Sequence, residues 1–87
     1  MSEMQPHERE VFDKVVAILE PFAKNQANLA SVGMNTSILK DLDVNSARLV
    51  DIVIELEDAF EIEVSDEDAD SVRTVGDAVG MILRLRS

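Results

Sequence analysis

The stretch from Asn45 to Phe60, NSARLVDIVIELEDAF, carries the strongest pattern in the chain. At about 100° per residue, Leu49, Ile52, Val53, Leu56 and Phe60 gather in one sector of a helix, which gives the segment a face to bury. Val50 and Ile54 point away from that sector, toward the side that carries Ala47, Asp51 and Asp58. Two apolar residues a turn apart and flanked by acids fit a docking strip with an apolar centre and a charged rim. They also fit a surface covered by a neighbouring helix or loop. Asn45 or Ser46 stands at the N-cap, where either side chain can satisfy a free backbone amide, so capping alone accounts for a serine here.

Other segments repeat the helical spacing. Val11, Phe12, Val15, Ile18, Leu19 and Phe22 predict a first helix from Pro6 to Phe22, ended or bent by Pro21. Residues 23–45 are rich in Asn, Ser and Gly, yet include Leu29, Val32, Met34, Ile38, Leu39, Leu42 and Val44. A structureless loop of that length is uncommon, so a long connection pinned to the core is expected, with a short helical turn near Ile38. EIEV, residues 61–64, alternates like an extended piece. Ser65 with Asp68, and Thr74 with Asp77, have the spacing of helix-opening caps. They predict a short acidic helix and then a last helix with Val75, Ala78, Val79, Ile82 and Leu83 on its inner face. Arg84 and Arg86 suit the negative end of that helix. Gly76 and Gly80 each cost about 1 kcal/mol relative to Ala, so packing must hold it. The expectation is an all-α domain over residues 1–87, three longer helices and one short, with residues 1–6 flexible.

A chain of 87 residues can build one small core but not a deep enclosed active site. A binding or carrying role is therefore expected, with no catalytic residues. There are no cysteines, which excludes disulfides and thiolate metal sites. The charged start MSEMQPHEREVFDK lacks the apolar core of a signal peptide, and no apolar run is long enough for a membrane span. A soluble, cytoplasmic protein with no membrane role follows. The 18 acidic and 8 basic side chains give a net charge of −10, and Asp51 to Asp70 holds ten acids and no base. Such a surface repels nucleic acid and speeds encounter with basic protein partners.

Asp41, Asp43 and Asn45 alternate as a calcium loop begins. That loop needs Gly at its sixth position and Glu at its twelfth, where this chain has Ser46 and Ile52. A second alternation, Asp66, Asp68 and Asp70, also lacks the glycine and reads better as helix starts. No metal site is expected, and the lone His7 has no assigned role.

The segment DLDVNSARLVDIVIELEDAFEIEVSDEDADSVRTVGDAV resembles the acyl carrier proteins. Asp41-Leu42 match the start of the family's Asp-Leu-Gly-x-Asp-Ser-Leu turn, and Ser46 matches its modified serine. Leu56-Glu57 and Phe60 match the helix end, Ile62 and Val64 the extended piece, and Thr74-Val75 the last helix; Thr36 and Ser37 fit the preceding turn. The resemblance spans residues 11–83. It implies a four-helix acyl-carrier-like bundle with a long first connection, and 4′-phosphopantetheine from coenzyme A joined covalently to Ser46. It implies a carrier, not an enzyme, that holds acyl intermediates as thioesters for fatty-acid, other lipid or specialised metabolite synthesis.

Several partners and sites follow from that resemblance. A phosphopantetheinyl transferase and acyl-processing enzymes with basic patches would dock on Ala47, Val50, Asp51, Ile54, Glu55, Glu57, Asp58 and Glu61 of a monomeric carrier. The acyl chain would enter between helices near Leu49, Ile52, Leu56, Ala69 and Ala78. Four residues depart from the pattern: Asn45 replaces the usual Asp, Ala47 the usual Leu, Asp43 a common Gly, and Arg48 an acid or small polar residue. These departures favour a specialised carrier. Two other readings stay open: a carrier-like interaction module that is never modified, and a carrier of aminoacyl or peptidyl groups.

Overall fold

In the computed structural model, which describes residues 5–86, the apolar faces read above close on one another. Helix α1 runs over Pro6–Leu19. Pro6 supplies a preset φ at the first helical position, and the Glu8 carboxylate accepts the Gln5 amide at 3.0 Å. The helix ends before Pro21 as a 3-10 turn, Glu20–Phe22. The expected flexible stretch 1–6 falls mostly outside the described residues, and Pro6 is already helical.

Helix α2 spans Leu49–Phe60, the short α3 Asp66–Ser71, and α4 Val75–Arg86. Helix α1 packs most extensively on α4 and also on α2. Val11, Phe12, Val15 and Leu19 of α1 are buried against Ile52, Leu56 and Phe60 of α2 and Val75, Ala78, Val79 and Ile82 of α4. Met81 is buried as well, while Leu83 is only partly covered. The buried set contains no polar side chain among the described residues, so the core rests on apolar burial alone.

Both expected caps form. Ser65 Oγ accepts the Asp68 amide at 3.1 Å. Thr74 Oγ1 accepts the Asp77 amide at 3.1 Å, and Asp77 Oδ2 accepts the amides of Thr74 and Arg73 at the same distance. Residues 61–64 alternate exposed and half-buried without joining a strand.

The long connection is more ordered than its composition suggests. It contains a 3-10 helix at Gln26–Ser31, and it buries Ala23, Ile38, Leu42 and Val44. The expected turn near Ile38 is present: the Asp41 amide bonds Ser37 O at 2.9 Å, while Ser37 Oγ accepts the Lys40 amide at 3.1 Å. Backbone bonds then fasten the connection to the start of α4. Ile38 N donates to Arg73 O at 3.0 Å, and Val75 N to Thr36 O at 3.0 Å. Among the described residues no helix is long and apolar enough to cross a membrane.

Candidate functional site

Asn45, not Ser46, caps the entry to α2. Its Oδ1 accepts the Ala47 amide at 2.9 Å, and its carbonyl accepts the Arg48 amide at 2.8 Å, closing a 3-10 turn over Ser46–Arg48. Ser46 is exposed, and its hydroxyl makes no hydrogen bond among the described residues. Capping therefore does not account for the serine. The other oxygens of the alternating Asp41, Asp43, Asn45 series also have local roles or geometry. Asp41 Oδ2 accepts the Ser37 amide at 2.7 Å, and Asp43 holds a left-handed backbone at φ 54°. That is a conformation glycine adopts more readily, which gives a physical reason for a glycine at this position of the turn.

Neither α1 nor the connection covers the outward side of α2. Val50 is 65% exposed and Ile54 56%. Ala47, Glu55, Asp58 and Glu61 are exposed beside them, without ion pairs among the described residues. Two of the expected docking acids are engaged within the chain. Arg48 Nη1 lies 3.1 Å from Asp51 Oδ2, and Glu57 Oε2 accepts the Val64 amide at 2.8 Å. The second bond fixes the chain that leads from α2 to α3.

An open groove of about 730 Å³ runs beside that face, and Ser46 is part of its lining. Its apolar lining comes from Leu49, Val50, Val53 and Ile54 of α2, and from Leu39, Val64, Ala69 and Val72. Ser37, Lys40, Arg73 and Thr74 add a polar portion, and Glu57, Asp66 and Asp70 add acids. Of the residues expected around an acyl chain, Leu49 and Ala69 line this groove. Ile52, Leu56 and Ala78 lie in the packed core instead, each no more than 3% exposed. Val53, which its helical position places with the core residues, lines the groove instead, and nothing in the sequence spacing assigns Leu39 or Val72 to it. Only Val64, in the alternating EIEV piece, had a periodicity that could have marked it.

The sequence pattern of the phosphopantetheine attachment site matches residues 13–82. The chain is 38% identical over 76 residues to the acyl carrier protein of Lactobacillus acidophilus, covering 86% of this chain and 91% of that protein. This chain belongs to the acyl carrier protein family. It is also 33% identical over 75 residues to the mitochondrial acyl carrier protein of Saccharomyces cerevisiae, covering 84% of this chain and 60% of that one. Among solved structures, the acyl carrier protein from Enterococcus faecalis superposes with a TM-score of 0.74 at 36% identity, over 90% of this chain and 96% of that chain. An acyl carrier protein bears covalent 4′-phosphopantetheine. The exposed Ser46 hydroxyl, free of hydrogen bonds among the described residues, is chemically suited to anchor such a group as a phosphodiester.

Proposed function

We propose that Ser46 carries the phosphopantetheine arm and that this protein holds acyl intermediates on it for a dedicated lipid or specialised metabolite pathway. The observation that supports this most is the division of labour at the start of α2: Asn45 caps the helix, which leaves the Ser46 hydroxyl exposed and without a bond. The group supplies a thiol on a flexible arm, where an acyl chain stays activated as a thioester and is presented at high effective concentration. Leu49, Val53, Val64 and Ala69 give the chain an apolar groove beside the anchor, while Ile52, Leu56 and Ala78 close the core behind it. The protein acts in the cytoplasm as a monomer and is not itself an enzyme. Its partners are a phosphopantetheinyl transferase and acyl-processing enzymes whose basic patches meet Glu55, Asp58 and Glu61 around Val50 and Ile54.

The dedicated pathway rests on Ala47 and Arg48. Ala47 offers less apolar area than the family's leucine, and Arg48 opposes a basic patch. At about 25 cal/mol per Å², with the added repulsion, affinity for general fatty-acid enzymes falls by roughly ten- to a hundredfold. Acyl-loaded protein offered to a housekeeping ketosynthase should be elongated poorly, and Ala47→Leu with Arg48→Asp should improve it. Hydroxylamine should release the acyl group, as expected of a thioester. Efficient elongation of the unaltered protein contradicts the dedicated pathway, and a hydroxylamine-resistant acyl group contradicts the carrier reading.

A further inference from the structure

The eight basic residues of this acidic chain are not spread evenly. Lys40 and Arg73 line the groove beside Ser46. On the other side, a smaller hollow of about 430 Å³ lies between the end of α1 and the entry to α2, lined by Pro21, Phe22, Ala23, Lys24, Asn45 and Arg48. The groove includes three acids in its lining, whereas the hollow includes none. With a net charge of −10, the chain has placed two cations and no carboxylate in a concavity lined by Asn45 and Arg48, the residues one before and two after Ser46, while Ser46 itself lines the groove on the other side.

These groups are available to an anion. Lys24 makes no ion pair among the described residues. Asn45 uses Oδ1 for the Ala47 amide, and its Nδ2 donors have no partner among the described residues. Arg48 is held by Asp51 through Nη1 at 3.1 Å, but the two side chains are 64% and 48% exposed. A pair so exposed contributes little, so Arg48 can leave it at small cost. A guanidinium matches phosphate oxygens in a fork and binds them more strongly than it binds a solvated carboxylate at a single nitrogen. A phosphodiester on Ser46 brings such oxygens two residues away from Arg48.

We propose that this hollow seats the phosphodiester formed on Ser46, that Arg48 turns to it from Asp51, and that the exchange uncovers Asp51 only in the loaded protein. This rests on the reading of Ser46 as the attachment residue. The consequence is a surface that reports its own state. In the unloaded chain Arg48 neutralises the first acid of the docking helix; in the loaded chain Asp51 joins Glu55 and Asp58 in facing basic partners. Enzymes that use the acyl group then favour loaded protein, while the transferase meets the Arg48-covered form.

The test is NMR on unloaded protein and on protein whose single added phosphopantetheine has been verified by intact mass, using wild type, Arg48→Gln, Lys24→Gln and, as a remote control, Lys14→Gln. Loading should move both the Arg48 Nε–Hε signal and the Asp51 carboxyl carbon in wild type, and the Asp51 carbon should move much less in Arg48→Gln. Arg48→Gln and Lys24→Gln should each displace the phosphorus resonance of the loaded protein, and Lys14→Gln should not. Those displacements should shrink at about 1 M salt, where the screening length is about 3 Å. The seat is overturned if the phosphorus resonance is the same in all four proteins at low salt, or if loading leaves the Arg48 signal in place. Absence of the added mass, or its presence in Ser46→Ala, overturns the assignment of Ser46 and the seat with it.

Discussion

The amide of Gly76 donates to the carbonyl oxygen of Met34 at 2.8 Å, and a Cβ built on Gly76 would stand 2.7 Å from that same oxygen. Helix α4 thus presses on the long connection at a point where only glycine fits. Gly80, on the same helix, has nothing within 4 Å of such a Cβ. Opposite signs follow for one chemical change. Gly76→Ala should destabilise by about 1–3 kcal/mol, because a backbone oxygen must shift. Gly80→Ala should stabilise by about 0.5–1 kcal/mol through helix propensity and a less flexible unfolded chain. Urea unfolding of both variants checks this; a neutral Gly76→Ala would show that the connection yields easily.

Asp68 ties α3 to α4 by accepting from Arg84 Nη2 at 2.6 Å. That hydrogen bond holds the Asp68 carboxyl below its usual value of 3.8; burial pushes the other way, and the Ser65 hydroxyl adds to the lowering. The folded-state value is depressed, so the contribution to stability is present above the unfolded value and is lost as pH falls through the folded one. The melting-temperature difference between wild type and Asp68→Asn should therefore hold steady at neutral pH. It should shrink once pH drops below about 3.8. Melts across that range measure it, and a difference that grows on acidification contradicts the assignment.

Much of this architecture could be read from side-chain spacing. The apolar steps of α1, α2 and α4 and the capping pairs Ser65–Asp68 and Thr74–Asp77 are local signals, and each formed where the spacing placed it. The exposed Val50 and Ile54 were also legible as residues off the core sector. What spacing could not show is contact between distant segments. The connection is held by bonds such as Ile38 N to Arg73 O, whose partners are 35 positions apart, and backbone amides carry no sequence label. Part of the groove is not legible in the sequence for the same reason, since Leu39, Val53 and Val72 meet only after folding. Which of Asn45 and Ser46 caps α2 was likewise open, because both are good cap residues and backbone geometry chooses between them.

Val50 and Ile54 set the expectation for docking. With 65% and 56% of their surfaces exposed, they contribute little to the fold and much to any partner that covers them. Ile54→Ala should leave stability within about 0.5 kcal/mol and weaken binding to an acyl-processing partner by about five- to tenfold. Asp58→Lys should also weaken it, with an effect that fades as salt rises. Binding and unfolding measured on the same variants separate the two roles. An equal loss from a charge reversal on α4 would contradict a surface localised on α2.

The role of Ser46 is tested most directly by intact mass after incubation with coenzyme A, magnesium and a broad-specificity phosphopantetheinyl transferase. Ser46→Ala should fold normally, since Asn45 supplies the cap. The account predicts one added phosphopantetheine on each wild-type chain and none on Ser46→Ala. A wild-type chain left unmodified by several transferases, or an equal addition to Ser46→Ala, would contradict it.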